Sequence, residues 1–176
     1  GLKIHSKLLY IESKKGNIAC IGTGNFHEGN AKIYTDYLMM TARPKIVNEV
    51  AKVFDFIDRP FSPFRFNELL VSPNSMKNRI LRMLDTEIKN VSEGKETWVK
   101  IKINHITDTD MVTKLYQASQ AGVKIDIVIR GNCSLVPGLK GLSENIRCVG
   151  IIDRYLEHSR ILIFANGGKP RFFIGS

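Results

Sequence analysis

The alternation of apolar and polar positions changes period near residue 42 of this chain. Before that point the pattern suits strands: Ile4 to Ile11 reads as one, Lys14-Lys15-Gly16-Asn17 as a turn, and Ile18 to Ile21 as the returning strand of a hairpin. After Ala42, Val47, Val50, Ala51, Val53, Phe54 and Ile57 recur at helical spacing. That predicts an amphipathic helix over 44–58 with Pro44 in its first turn. Arg59 to Phe66, with its prolines and aromatics, reads as a connector and the best place for a domain junction.

From Leu69 onward strands and helices alternate. Leu69-Leu70-Val71 reads as a short strand, Ser72-Pro73-Asn74-Ser75 as a helix start, and 76–92 as a helix ending at Gly94. Trp98 to Ile103 is a strand, Thr107 or Asp108 caps a helix running to Ala121-Gly122, and Val123 to Ile129 is the next strand. Residues 146–152, 159–164 and 171–174 complete the set. Alternation at these lengths predicts an α/β fold whose mixed sheet contains parallel strands joined by helical crossovers. Ligands of such sheets sit at the carboxyl ends of strands, which predicts a rim of Ser72, Asn104 and Arg130-Gly131-Asn132.

Composition narrows the class. With 176 residues, 43% hydrophobic and 24% charged, the chain can bury a core as one domain or two incomplete ones. Its apolar runs fall far short of the roughly 18 residues a membrane helix needs. Its first residue is not Met and no leader pattern follows, so the chain reads as an excised fragment. A formal net charge of +9 favours an anionic partner without choosing among nucleic acid, nucleotide, polyphosphate and anionic lipid. Cys20, Cys133 and Cys148, odd in number and widely spaced, read as reduced thiols of a cytoplasmic protein rather than zinc ligands or a disulfide frame.

Candidate chemistry concentrates in two similar segments. Ile4-His5-Ser6-Lys7-Leu8 leads to Gly22-Thr23-Gly24-Asn25-Phe26, and Glu157-His158-Ser159-Arg160-Ile161 leads to Gly175-Ser176. On an extended backbone, residues two apart project to one side, so His5 pairs with Lys7 and His158 with Arg160. An imidazole beside a cation suits nucleophilic attack on phosphorus, the cation neutralising the phosphoryl oxygens. Small residues around Gly22-Thr23-Gly24-Asn25 let backbone N–H groups approach a phosphate, with Asn25 orienting it. His27 and His105 read as structural, and Lys77, Arg79, Arg82, Lys89, Lys95, Lys100, Lys102 and Lys114 as solvated faces.

These segments resemble the polyphosphate kinase branch of the phospholipase D-like fold. The resemblance rests on Gly22-Thr23-Gly24-Asn25-Phe26, Tyr34-Thr35-Asp36-Tyr37, Leu70-Val71-Ser72-Pro73, Val128 to Leu135 and Asp153 to Arg160. It implies a phospholipase D-like mixed sheet flanked by helices, preceded by the tail end of a similar domain. Residues 1–42 would end the first domain, 43–66 would be helix and connector, and 67–176 would form most of the second. It implies reversible transfer of the ATP γ-phosphate to polyphosphate through a phosphohistidine, with His5 as the phosphorylated residue and His158 as acid or base at the nucleotide site. Arg130 falls where the family contacts phosphate, and Tyr34 where it contacts nucleotide; by pattern alone Tyr34 reads equally well as a core aromatic. Lys7, Asn25 and Arg160 join the binding set. ATP or ADP would be bound with Mg2+, whose ligands lie mainly upstream, so no metal site is expected here. The partners implied are polyphosphate and nucleotide, with no specific nucleic acid. The full-length enzyme would be a cytoplasmic homo-oligomer, compatible with peripheral membrane association.

The phospholipases and nucleases of this fold place an acid where the second segment has Asn166, and Arg160 replaces their lysine, which weakens a hydrolase reading. Two alternatives stay open: a phosphodiesterase acting on nucleic acid or lipid, and an inactive fragment that only binds polyanions.

Overall fold

The computed structural model describes residues 3–176. The first part runs β1 (Leu8–Ile11), β2 (Ile18–Gly22), α1 (Glu28–Ala31), β3 (Tyr34–Thr35), β4 (Leu38–Thr41) and α2 (Pro44–Asp58). Strands β1, β2 and β4 form an antiparallel sheet in that order. Its Ala19 and Ile21 pack on Val47 and Val50 of α2, so the helical period read from the sequence is the face that covers this sheet.

The second part runs α3 (Met76–Ser92), β5 (Trp98–Ile103), α4 (Thr109–Ala121), β6 (Lys124–Ile129), β7 (Ile146–Gly150), β8 (Leu156–Glu157), β9 (Arg160–Phe164) and β10 (Arg171–Gly175). Five strands form one sheet in the order β10-β9-β5-β6-β7. β5, β6 and β7 are mutually parallel, while β9 runs antiparallel to both β5 and β10. Val99 and Ile101 alternate with Lys100 and Lys102 along β5, and the apolar set packs with Leu84 of α3 and Leu115 and Ala118 of α4. The Asp108 side chain caps α4 by accepting from Met111 N at 3.0 Å, and Gly122 ends it at φ 103°, a conformation open to glycine.

Because β9 is antiparallel to β5, its first residues lie at the same end of the sheet as the last residues of β5 and β6. Arg160 therefore comes to the rim that Asn104 and Arg130 occupy. The short strands β3 and β8 pair in parallel, Tyr34 opposite Leu156 and Thr35 opposite Glu157, and this pairing joins the two parts beside that rim.

The expected strand at Leu69-Leu70-Val71 is absent. Its backbone finds side-chain partners instead of a neighbouring strand: the buried Glu49 carboxylate accepts from Asn67 N (2.6 Å), Glu68 N (3.0 Å) and Leu69 N (2.8 Å). From the other side, the Arg79 guanidinium donates to the carbonyls of Phe66, Asn67 and Leu69. Arg79 is thus a clamp rather than a solvated cation, and Ser72 closes no strand and leaves the predicted rim. The first strand also begins later than Ile4. Residues 3–7 lie outside the ladder, apart from Gly22 N donating to Lys7 O at 2.8 Å.

Glu49→Ala strands these backbone donors without acceptors. The expected loss is about 2–4 kcal/mol, because each buried unsatisfied donor costs roughly 1–3 kcal/mol and partial hydration recovers some of it. Urea unfolding measures it, and an unchanged midpoint contradicts the clamp.

Candidate active site at the junction of the two sheets

Residues 3–7, ahead of β1, bring His5 and Lys7 together. Lys7 is buried, and its Nζ lies 3.0 Å from His5 Nδ1 and 2.5 Å from the His5 carbonyl oxygen. Nζ also lies 3.3 Å from His5 Nε2, so the ammonium faces both ring nitrogens. Burial, then the charge of Lys7, then that of Arg160 hold the His5 pKa below the ordinary histidine value. Burial and Arg160 likewise lower Lys7. Ser176, just past β10, donates its hydroxyl to the His5 carbonyl at 3.2 Å. His5, Lys7, Asn25 and Phe26 line an open depression of about 280 Å3.

The second histidine lies between β8 and β9. His158 Nδ1 donates to Asp36 Oδ1 at 2.9 Å across the junction between the two parts. The same oxygen accepts from the Thr23 hydroxyl at 2.6 Å, and that hydroxyl accepts from Tyr37 N at 2.9 Å. With its Nδ1 proton committed to Asp36, a neutral His158 presents Nε2 as the lone-pair nitrogen. Arg160 Nη1 lies 3.1 Å from Nε2 and donates to the His158 carbonyl at 2.9 Å. The Tyr34 ring packs on the imidazole, centroids 5.0 Å apart at a 38° tilt.

Behind the histidines, Asn104 bridges two arginines. With its amide oriented to satisfy both, its oxygen accepts from Arg130 Nη2 at 2.7 Å and from Arg160 Nη2 at 2.6 Å. Burial, then the charge of Arg130, lowers the Arg160 pKa. The site therefore gathers Lys7, Arg130 and Arg160 around two imidazoles, an arrangement that asks for an anion.

His5, Lys7, His158, Arg160, Arg130 and Tyr34 lie in one neighbourhood, with Asn25 on the His5 side. Asp36 and Thr23 escaped role assignment, although both lie in quoted segments, because their task depends on a contact between positions distant in sequence. Lys102 corrects its expected solvated role: its Nζ donates to Glu157 Oε2 (2.7 Å) and Ser159 Oγ (2.5 Å), gripping the residues on either side of His158. This pairing holds the Glu157 carboxyl below its ordinary range. His27 Nδ1 caps α1 by accepting from Gly29 N, and His105 Nδ1 accepts from Asn132 N, so both histidines shape loops.

Among the described residues no group of three or more His, Cys, Asp or Glu could hold a metal ion, and Asp36 is already committed to His158 and Thr23. These described residues do not build a magnesium site. Nor is any helix among them long and apolar enough to cross a membrane.

An NMR titration should place the His5 midpoint below about 6.5, the ordinary value. The ring is then neutral above that midpoint and protonates only as pH falls through it. Lys7→Met should raise the midpoint while leaving the burial contribution; a midpoint above 6.5 in the unsubstituted protein contradicts the geometry. A Cβ at Gly24 would overlap the Asp36 carboxylate. Gly24→Ala should therefore displace Asp36 and loosen His158, read as loss of the single Nδ1–H tautomer in imidazole 15N shifts.

Comparison with known proteins gives one answer. The family model described as polyphosphate kinase C-terminal domain 2 matches residues 69–176, and that of C-terminal domain 1 matches residues 1–63. The chain is 51% identical to the polyphosphate kinase of Vibrio parahaemolyticus over 180 aligned residues, covering all of this chain and 26% of that protein. It is 45% identical to the Escherichia coli K12 polyphosphate kinase with the same coverage. The crystal structure of polyphosphate kinase from Porphyromonas gingivalis superposes with a TM-score of 0.86 at 42% identity, covering 99% of this chain and 30% of that one. The chain thus spans about a quarter of the length of the curated relatives it matches. Two consecutive domain models, an alignment over the whole chain and a shared mixed α/β fold agree: the chain belongs to the polyphosphate kinase family.

Proposed function

We propose that these residues act as the reactive C-terminal part of an intact polyphosphate kinase, with His5 as the nucleophile that carries the phosphoryl group. A His5 ring nitrogen forms a P–N bond to the γ-phosphorus of ATP as the P–O bond to the β-phosphate breaks, and ADP departs with that oxygen. In the second step a terminal oxygen of polyphosphate attacks the same phosphorus and the P–N bond breaks, freeing His5. Run backwards, the sequence makes ATP. Lys7, Arg130 and Arg160 neutralise the phosphoryl oxygens in both steps, and Tyr34 and Asn25 complete the binding set. His158, its tautomer held by Asp36, exchanges a proton at the oxygen that leaves or attacks. The observation that carries this reading is a His5 packed against Lys7, its pKa held low by burial and the surrounding cations, in the same pocket as a carboxylate-oriented His158.

The same reading treats residues 1–42 as the end of a first phospholipase D-like domain, 43–66 as helix and connector, and 67–176 as most of a second. ATP or ADP with magnesium held from outside this segment, a cytoplasmic homo-oligomer and peripheral membrane contact rest on family membership alone.

In the intact enzyme, His5→Ala should abolish acid-labile labelling from γ-phosphate-labelled ATP. His158→Ala should slow turnover by roughly 10²–10⁴-fold while label still appears on His5. Undiminished label in His5→Ala moves the nucleophile elsewhere, and metal-independent phosphodiester cleavage without label favours the phosphodiesterase reading. If several phosphates are contacted, polyphosphate binding should weaken roughly tenfold or more between about 50 and 200 mM salt. Binding that ignores salt contradicts the cationic pocket.

A further inference from the structure

We infer that Asn104 is a positioning residue that fastens Arg130 and Arg160 into one two-armed phosphate clamp without subtracting charge from it. The inference rests on the phosphoryl-transfer reading above and deepens it.

β5 lies between β9 and β6, so the residue leaving its carboxyl end stands between the residues at the same end of both neighbours. Those three are Asn104 in the middle, Arg160 on one side and Arg130 on the other. Asn104 is 9% exposed, and its carbonyl oxygen accepts from Gly131 N at 2.8 Å, which anchors the backbone beneath the side chain. The side-chain oxygen then accepts one Nη2–H from each guanidinium.

Two guanidiniums forced this close repel, which is the second cause of the lowered Arg160 pKa. Some acceptor must offset the repulsion. A carboxylate would do so more strongly, but bidentate pairing would remove one positive charge and occupy the forks that phosphate needs. An apolar residue would let the two arms splay. A neutral amide oxygen with two lone pairs takes one bond from each arm and leaves both positive charges in place. The clamp also has unused capacity: Arg130 Nε is buried and makes no hydrogen bond among the described residues. The ligand class this fits is a phosphoanion whose oxygens can span two guanidiniums, as neighbouring phosphates of a di- or triphosphate do.

The test uses the intact enzyme, inorganic tripolyphosphate as probe, calorimetric affinity and thermal unfolding. Asn104→Ala should weaken tripolyphosphate binding about tenfold, the equivalent of one charge-assisted hydrogen bond's worth of preorganisation. Asn104→Asp is nearly isosteric and keeps both hydrogen bonds, so its unfolding temperature should equal or exceed that of the unsubstituted protein. Its tripolyphosphate affinity should nevertheless fall tenfold or more, a split that a merely structural role does not produce. In an Arg130→Ala background, Asn104→Ala should have little further effect, because one arm of the clamp is already gone. Full affinity in Asn104→Asp overturns the inference, as does full additivity of the Arg130 and Asn104 substitutions. If Asn104→Ala fails to fold, the isosteric variant still decides. Failure of the parent reading looks different: His5 stays unlabelled by ATP while tripolyphosphate binding keeps its dependence on Asn104.

Discussion

The hydrogen bond from His158 to Asp36 is the interaction around which this molecule is arranged. Its partners come from different sheets and lie 122 residues apart in sequence, so the bond exists only if both parts dock in one relative position. The parallel pairing of β3 with β8 sets that position, since it places Thr35 beside Glu157, each one residue before a partner in the bond. Thr23 and Lys102 support it from either side. Thr23 holds the carboxylate, while Lys102 holds Glu157 and Ser159 and so limits how the backbone of His158 can move.

A site with so many cations is unfavourable in isolation, and the fold counters this by placing acceptors rather than by exposing the charges to water. Lys7 finds the His5 ring and carbonyl, Arg160 the His158 carbonyl, and Arg130 and Arg160 share Asn104. Mostly neutral acceptors satisfy hydrogen bonds and leave the positive potential available to an anion. Burial first, and then each neighbouring cation, makes protonation of His5 less favourable. Burial and the crowding of cations thus act together on the His5 ring.

The buried Glu49 and Arg79 solve a separate problem in the connector. Residues 66–69 run between the two parts without a strand partner, and burying an unpaired backbone is costly. Carboxylate below and guanidinium above supply acceptors and donors in place of a ladder. A charged pair of residues on helices, outside the site, is therefore a condition for holding the two sheets together.

Much of this was legible in order of residues. The bounds of α2 and α3 and the position of β5 follow from local periodicity and end signals, because a helix or strand end is decided by neighbours in sequence: Pro44 opens α2, Asp108 caps α4 and Gly122 ends it. The paired His-x-basic segments could be read as chemistry for the same reason, since residues two apart on an extended chain share a side whatever surrounds them. Leu69 to Val71 could not be read correctly: an apolar triplet looks the same whether its backbone bonds to a strand or to side chains of α2 and α3. The roles of Asp36, Asn104 and Lys102 depend on which strand lies beside which, and the antiparallel β9 and the β3–β8 pairing decide that. Local sequence determined the elements and the His-x-basic pairs, whereas strand order and docking decided their partners, because hydrogen bonds and charge interactions act across angstroms of space and not along the chain.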